Sequence, residues 1–355
     1  MTDINFSTLA DDIKIWGREL GFQQIGISDI DLSEAEEHLQ VWLKNNFHGE
    51  MDYMQRHGVM RSHPEQLVPG TLRIISARMD YLPANPQSIE VLKDSSLAYL
   101  SRYALGRDYH KLIRQRLQKL ANKIQDHCGE FGYRALVDSA PVLERALAEK
   151  AGLGWIGKNA MLINKNAGSW FFLGELFTDL PLPADEKAGA HCGSCSACLD
   201  ICPTNAFVGP NQLDARKCIS YLTIELRTSI PEQLRPLMGN RVFGCDDCQL
   251  CCPWNKFSAP TQEQDFTPRH ELDRAQLATL FNWTEEEFLE KTAGSPIRRI
   301  GYECWLRNLA VGLGNAQTTP EVIHALQARL EHPSALVKEH VSWALERHKQ
   351  TTINA

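Results

Sequence analysis

Seven of the chain's eleven cysteines set the spacing of two short blocks, Cys192-x2-Cys195-x2-Cys198-x3-Cys202-Pro203 and Cys245-x2-Cys248-x3-Cys252-Pro253. Little else constrains a fold as tightly. Three thiolates two residues apart wrap one corner after another of a cubane cluster, while a fourth, set just before a proline, points away and ligates a second cluster. With Cys218 between the blocks, eight thiolates are available, enough for two [4Fe-4S] clusters. The spacing predicts a crossed assignment: Cys192, Cys195, Cys198 and Cys252 for one cluster, and Cys202, Cys218, Cys245 and Cys248 for the other. Cys251 competes with Cys252, because Cys245-x2-Cys248-x2-Cys251 is also a legal triple, but only Cys252 precedes proline. Cys128 and Cys304 are expected to be buried thiols.

Structural zinc is the bland alternative, since paired C-x2-C units are its usual signature. The triple spacing closed by C-P fits a cubane better. Disulfides are disfavoured, because MTDINFSTLADDIKIWGREL has neither the basic start nor the apolar centre of a signal peptide, and a reducing cytosol is expected. No apolar run reaches membrane-spanning length, so a soluble protein is expected. The net charge of −7 argues against a globally basic nucleic-acid binder and leaves room for a local basic face. One such stretch runs from Ser101 to Lys123, with Arg102, Arg107, Lys111, Arg114, Arg116, Lys119 and Lys123 against the single acid Asp108. Leu112, Ile113, Leu117, Leu120 and Ile124 recur there at helical spacing, so an amphipathic helix with a basic outer face is predicted; solvation and phosphate contact both remain open for it.

The 355 residues divide by pattern into three regions. Residues 1–185 alternate helical stretches (Leu9 to Leu20, Glu34 to Lys44) with strand-like runs (Ile25 to Ile27, Arg73 to Met79, Ala135 to Val137, Met161 to Ile163), which reads as an α/β domain. Residues 186–260 hold the cysteines. Residues 261–355 read as helical, with a turn at His332-Pro333 between two helices, as in the paired-helix repeats of α-solenoids, whose surfaces usually bind macromolecules.

Two further motifs bear on chemistry. Gly152-Leu-Gly154-Trp-Ile-Gly157-Lys158 matches the G-x-G-x-x-G string, but helical composition precedes it and a strand follows, the reverse of a dinucleotide fingerprint. Its glycines still permit close backbone approach to a large ligand, and Lys158 could meet an anionic or amide group. Asp138 follows an apolar strand directly. It is read as a proton donor, its pKa raised by burial, against the alternative of capping the helix at Val142. Arg61 in MRSHP and the string from Ser101 to His110 are dense in polar and aromatic groups; composition alone makes surface loops of both. The D-x-H-x-x-G pattern of a histidine that replaces the lower base of cobalamin is absent, Asp126-His127-Cys128-Gly129 having the wrong spacing.

RHGVMRSHPEQLVPGTLRIIS, SRYALGRDYHK, VDSAPVLERALAEKAGLGWIGKN, SWFFLGEL, the first cysteine block and CDDCQLCCPWN, taken in order, resemble the epoxyqueuosine reductases over essentially the whole chain. The resemblance implies an α/β cobalamin-binding domain, a ferredoxin-like two-cluster segment and a HEAT-like helical tail that binds tRNA, in a family akin to reductive dehalogenases. It implies reduction of an epoxide on the modified base at the anticodon wobble position, giving queuosine and water, by cob(I)alamin that the two clusters recharge. Asp138 carries the proton-donor role over. Arg61, Ser101, Gly157, Lys158, Ser220 and Asp246, with Asp138, would contact the corrinoid; Arg298 and Arg299 would hold tRNA phosphates. An external donor of flavodoxin or ferredoxin type, a cytoplasmic location and a monomer are also expected. The family's corrinoid is held with its lower base displaced and no histidine in its place, so the missing D-x-H-x-x-G pattern is consistent. Against this stand a dehalogenase-like corrinoid enzyme, which has no use for the helical tail, and an electron-transfer protein, which leaves the large first region unexplained.

Overall fold

The computed structural model describes residues 4–84 and 86–353. Its strands in chain order are β1 (Gln24–Ser28), β2 (Arg73–Asp80), β3 (Tyr99–Leu100), β4 (Tyr133–Leu136), β5 (Trp155–Ile156), β6 (Leu162–Ile163), β7 (Phe171–Thr178), β8 (Phe207–Gly209), β9 (Gln212–Leu213) and β10 (Arg241–Phe243). Four of them form the main sheet, in the order β1-β2-β7-β4. Every pairing in it is antiparallel. The mixture of helix and strand matches the sequence reading. The helices between these strands return the chain so that neighbours run in opposite senses.

The two faces of the sheet are covered differently. The helices Phe6–Glu19 and Tyr109–Cys128 lie on one face, where Ile13, Ile113, Leu117, Leu120 and Ile124 are fully buried. Each such side chain contributes roughly 1.5–3 kcal/mol on removal from water. Gly174 of β7 lets the Tyr109–Cys128 helix sit close, since a Cβ there would stand 2.5 Å from Ile113 Cγ2. Asp108 starts this helix by accepting from the His110 amide at 3.0 Å, and Gly129, at φ +85°, ends it. The other face carries the helix Glu144–Lys150, with Leu147 against Ile74, Leu136 and Phe177. That helix leads through Gly152, at φ +75°, into the β5–β6 hairpin. The glycine string therefore lies between a helix and a hairpin, which removes the dinucleotide reading.

A second core joins the rest of the chain. β10 pairs in parallel with β3, Arg241 opposite Tyr99 and Phe243 opposite Leu100, so the second cysteine block is anchored beside Ser101. Behind this ribbon the helix Gly301–Gly314 is buried almost throughout, with the helices Pro320–Gln327 and Ala335–Ile353 outside it. Trp305, Leu306, Leu309 and Leu313 share one cluster with Leu100, Leu105, Val242 and Phe243. Arg307, fully buried in that helix, donates to the carbonyls of Leu222, Leu226 and Thr228, each at 2.8 Å. These bonds clamp the turn after Cys218 to the helical tail. No helix among the described residues is long and apolar enough to cross a membrane.

Candidate active site

The cysteines gather in two groups. Cys192, Cys195, Cys198 and Cys252 line one cavity of about 100 Å³, together with His191, Lys158 and Trp254. Trp155, buried beneath, donates its indole N–H to Cys192 Sγ at 3.4 Å. Burial first, and then the charges of Cys192, Cys252 and Cys195, push the Cys198 thiol up, as expected where ligands crowd one volume. Lys158 closes the loop over this cavity by donating to the carbonyls of Gly193 at 2.7 Å and Cys195 at 2.9 Å. Cys251 faces the same group: burial, Cys198 and Cys252 push its thiol up to about 12.

The second group lies deeper. The Cys218 thiol is pushed up by burial against backbone N–H groups that hold it down, with Cys202 nearby and the Ser220 hydroxyl hydrogen-bonded to it. Cys248 is pushed up by burial, then by Cys218. Cys245 Sγ lies 2.8 Å from Asp247 Oδ2, and Arg241 grips that carboxylate with two bonds of 2.6 Å. Such hydrogen bonds and apolar shielding set a cluster's potential. The donor set, thiols gathered around one cavity by Cys192, Cys195, Cys198 and Cys252 and further thiols deeper around Cys218 and Cys248, fits two [4Fe-4S] clusters. Of the two remaining cysteines, Cys304 is buried as expected, whereas Cys128 is half-exposed at a helix end.

Asp246 sits between Cys245 and the end of β3. It is buried, with burial pushing its carboxyl up, and accepts from Ser101 Oγ at 2.5 Å, Tyr99 OH at 2.8 Å and the Arg102 amide at 2.9 Å. Its acceptor capacity is taken up within the chain. Gly244, at φ +71°, is needed here, because a Cβ would stand 2.5 Å from Ser101 Cβ.

Asp138 lies in the turn just past β4. The helix expected at Val142 begins at Glu144, and no side chain caps it, so Asp138 is free of that duty. Its Oδ1 meets His110 Nε2 and its Oδ2 accepts from Tyr109 OH, both in very short contacts. Asp108 Oδ1 holds the other ring nitrogen, Nδ1, of His110 at 2.5 Å. Tyr109 stacks between His110 (4.3 Å, 22°) and Phe172 (3.8 Å, 11°), which fixes both rings. Burial opposes ionisation of Asp138, but the His110 bond, the His110 charge and the Tyr109 hydroxyl outweigh it and hold the carboxyl below its ordinary value. The expectation of a raised Asp138 pKa is therefore corrected. The proton resides on His110, which burial pushes down and the two aspartates push up more strongly, to about 9. His110 and Tyr109 were missed as functional groups; the signal was the Asp108-x-His110 pair, an acid that can orient an imidazole, at a helix start.

The other residues named from sequence are placed as follows. Arg61 is buried, donates Nη2 to the Tyr53 carbonyl at 2.9 Å and has no partner for Nε. Gly157 turns the β5–β6 hairpin. Arg299 pairs with Glu225 at 2.6 Å and faces Tyr103, Tyr53 and Asp138, so it belongs to the same cleft. Arg298 beside it is exposed. Much of the basic stretch is neutralised: Arg102 lies buried over Trp170, and Arg107, Arg116 and Lys123 pair with Asp265, Glu263 and Glu19. Lys111, Arg114 and Lys119 stay exposed on the outer face.

Residues 61–139 match the family described as "Epoxyqueuosine reductase QueG, DUF1730", and residues 191–255 the "4Fe-4S double cluster binding domain". The epoxyqueuosine reductase of Pseudomonas aeruginosa is 67% identical over 344 residues, covering 97% of this chain and 95% of its own. A crystal structure of epoxyqueuosine reductase with an epoxyqueuosine-modified tRNA-Tyr stem loop superposes with a TM-score of 0.87 at 27% identity, covering 97% of this chain and 91% of that one. The enzyme from Bacillus subtilis, in a structure described as having its catalytic aspartate loop swung out of the active site, superposes with a TM-score of 0.85 at 26% identity, with the same coverage.

Proposed function

The chain belongs to the epoxyqueuosine reductase family, acting on tRNA with a double [4Fe-4S] segment, and on that premise we propose that Asp138, charged through His110, protonates the epoxide oxygen. Reduction of the epoxide breaks both carbon–oxygen bonds, forms a carbon–carbon double bond and consumes two electrons and two protons, the oxygen leaving as water. The clusters supply electrons singly. A bound corrinoid supplies the strong low-valent reductant that ring opening needs.

The residues of the chain perform the remaining tasks. His110 holds a proton at neutral pH, Asp108 fixes the ring so that Nε2 faces Asp138, and Tyr109 holds the other carboxylate oxygen. A proton passed from Nε2 to Asp138 leaves a neutral acid beside the departing oxygen. Asp138 is 38% exposed, so the carboxyl can meet a substrate at the turn. The catalytic aspartate loop of the Bacillus subtilis enzyme, which swings, is the counterpart we assign to this turn.

For the corrinoid, Arg61, Ser101, Asp138, Gly157, Lys158, Ser220 and Asp246 form the proposed cradle. The unpartnered Arg61 Nε is the fitting feature, a buried donor without an acceptor. Lys158, Ser220 and Asp246 bond cluster loops or Ser101, so in this reading they shape the cradle. The three regions of the chain, 1–185, 186–260 and 261–355, serve as corrinoid domain, ferredoxin-like segment and HEAT-like tRNA-binding tail, with Arg298 and Arg299 on phosphates near the wobble base. A flavodoxin- or ferredoxin-type donor, a cytoplasmic location and a monomer complete the proposal. The observation that carries it is the Asp108–His110–Asp138 relay in a chain of this family. Its test is anaerobic: the enzyme loaded with clusters and cobalamin, given a strong reductant and epoxyqueuosine-containing tRNA, yields queuosine by mass spectrometry. Intact epoxyqueuosine after many equivalents of reductant would overturn it.

A further inference from the structure

Behind Asp138 the sheet holds a second acidic group that the relay does not use. Glu175 of β7 stands opposite Ser76 of β2 and Leu136 of β4, two residues before Asp138, so these side chains share the face covered by the helix Glu144–Lys150. Glu175 and Ser76 are fully buried. Neither Glu175 oxygen, nor Glu144 Oε1, nor Ser76 Oγ has a hydrogen-bond partner. Glu144 and Glu175 face each other, and both feel the charge of Asp138.

Two facing carboxylates without donors cannot both ionise in such a place; a retained proton lets one bond to the other. The surrounding charges do not alter this. Arg78, further along the same face of β2, is tied to Asp80 and Gln24 at 3.0 Å each. On the covering helix, Arg145 donates to the Ala160 carbonyl, Glu149 bonds the Ile156 amide at 2.8 Å, and Lys150 pairs with Asp29 at 2.6 Å. Arg134 on β4 is exposed, and Tyr109, across the sheet edge, is already bonded to Asp138. Burial, with the charge of Asp138, outweighs the lowering bond to Glu144 and keeps the Glu175 carboxyl protonated, up to about 8, and burial first and then Glu175 push Glu144 up as well.

The stoichiometry supplies a use, and this step rests on the reading above. Each epoxide takes up two protons, while at neutral pH the His110–Asp138 pair holds one. We propose that the Glu144–Glu175 pair stores the second proton and returns it to Asp138 after the first transfer, so that the epoxide oxygen leaves as water. The first proton goes to the oxygen as one carbon–oxygen bond opens, and the second goes to the resulting hydroxyl as the other bond breaks. The two electrons come from the reductant of the established reaction. Glu144 and Glu175 do not touch substrate; they act through Asp138.

The test compares the loaded wild-type enzyme with Glu175→Gln and Glu144→Gln. In each variant kcat falls by about a hundredfold, the lower end of general-acid effects, while KM for the tRNA stays unchanged. The store must be protonated to act, so wild-type kcat declines as pH rises through about 8, and this limb is missing from the variants. An infrared titration gives a readout that needs no turnover: the protonated carboxyl intensity present at pH 7 falls near pH 8 in the wild type, and that step is missing from Glu175→Gln. Unchanged kcat and pH limb in folded variants overturn the store. Should the variants not fold, a wild-type band that does not titrate between pH 7 and 9 overturns it. A titrating band in a protein that cannot reduce the epoxide leaves the store standing and removes the proposed function instead.

Discussion

The cluster segment and the acid centre at the end of β4 handle charge in opposite ways. Around Cys192, Cys195, Cys198 and Cys252 the chain offers one indole N–H, a Trp155–His191–Trp254 wall and loop carbonyls tied down by Lys158, with no acid–base pair among the thiols. Around Asp138 the side-chain hydrogen bonds go to groups that can gain or lose a proton: His110, Tyr109 and, through His110, Asp108. A site that passes electrons needs fixed ligands and a constant field. A site that passes protons needs partners whose affinities nearly match. The first is secured by covalent spacing along the chain and the second by packing one helix start against one strand end.

The largest effects should follow from breaking the thiol sets, and these also test how they are divided. Cys198→Ala and Cys202→Ala are each expected to abolish reduction, with iron and sulfide analysis and electron paramagnetic resonance showing loss of a different cluster in each. Identical spectra would merge the two groups and undo the crossed assignment. Cys251→Ala should leave both signals in place, since Cys252 occupies the position before proline.

Next in size, Asp138→Asn is expected to lower kcat by about 10²- to 10⁴-fold with both cluster signals intact, because it removes a general acid and leaves the scaffold. A fall of only a few-fold would take proton delivery away from the carboxyl and assign it to His110 alone.

How far the two regions could be read in advance follows from the same contrast. C-x2-C-x2-C-x3-C-P states its chemistry in eleven or so residues, so the ligands were legible without any fold. The helices at Phe6–Glu19 and Tyr109–Cys128 were legible from apolar periodicity, as was the turn at His332-Pro333. The antiparallel order of the sheet was not, because pairing depends on how each connecting helix lies and no local signal records that. Asp138 stood out as a carboxyl after an apolar strand, but its ionisation was misjudged, since burial was visible in the sequence and His110, far along the chain, was not. Glu175 lay hidden inside the run SWFFLGEL for the same reason: its neighbours Glu144 and Ser76 come from other elements.

His110→Gln sharpens the acid centre by separating its two roles. A rise from 6.5 to about 9 on folding is worth at most about 3 kcal/mol, since the ring is one-quarter exposed. That stabilisation is complete below about pH 6.5 and is lost as pH rises through about 9. Denaturant titrations of the wild type should therefore weaken from pH 6.5 to 10, while those of His110→Gln should be flatter over that range. Parallel curves would mean that the aspartates hold the histidine no more strongly in the folded chain than in the unfolded one.

The smallest effects should come from the arginines where the helical tail meets the cleft. Arg299 is already paired with Glu225 and helps hold Asp138 ionised, so on meeting a phosphate it gains little charge that is not already used. Arg298, exposed beside it, loses nothing by binding. Arg298→Gln is therefore expected to reduce the slope of log affinity against log salt by about 0.7–0.9, the contribution of one neutralised phosphate, and Arg299→Gln by less. Arg299→Gln should in addition raise the Asp138 carboxyl slightly, shifting the acid limb of kcat upward, which Arg298→Gln should not do. If Arg299→Gln instead flattens the salt slope more than Arg298→Gln, the Glu225 pair must open when tRNA binds, and the acid centre would then be coupled to tRNA docking as the cluster segment is not.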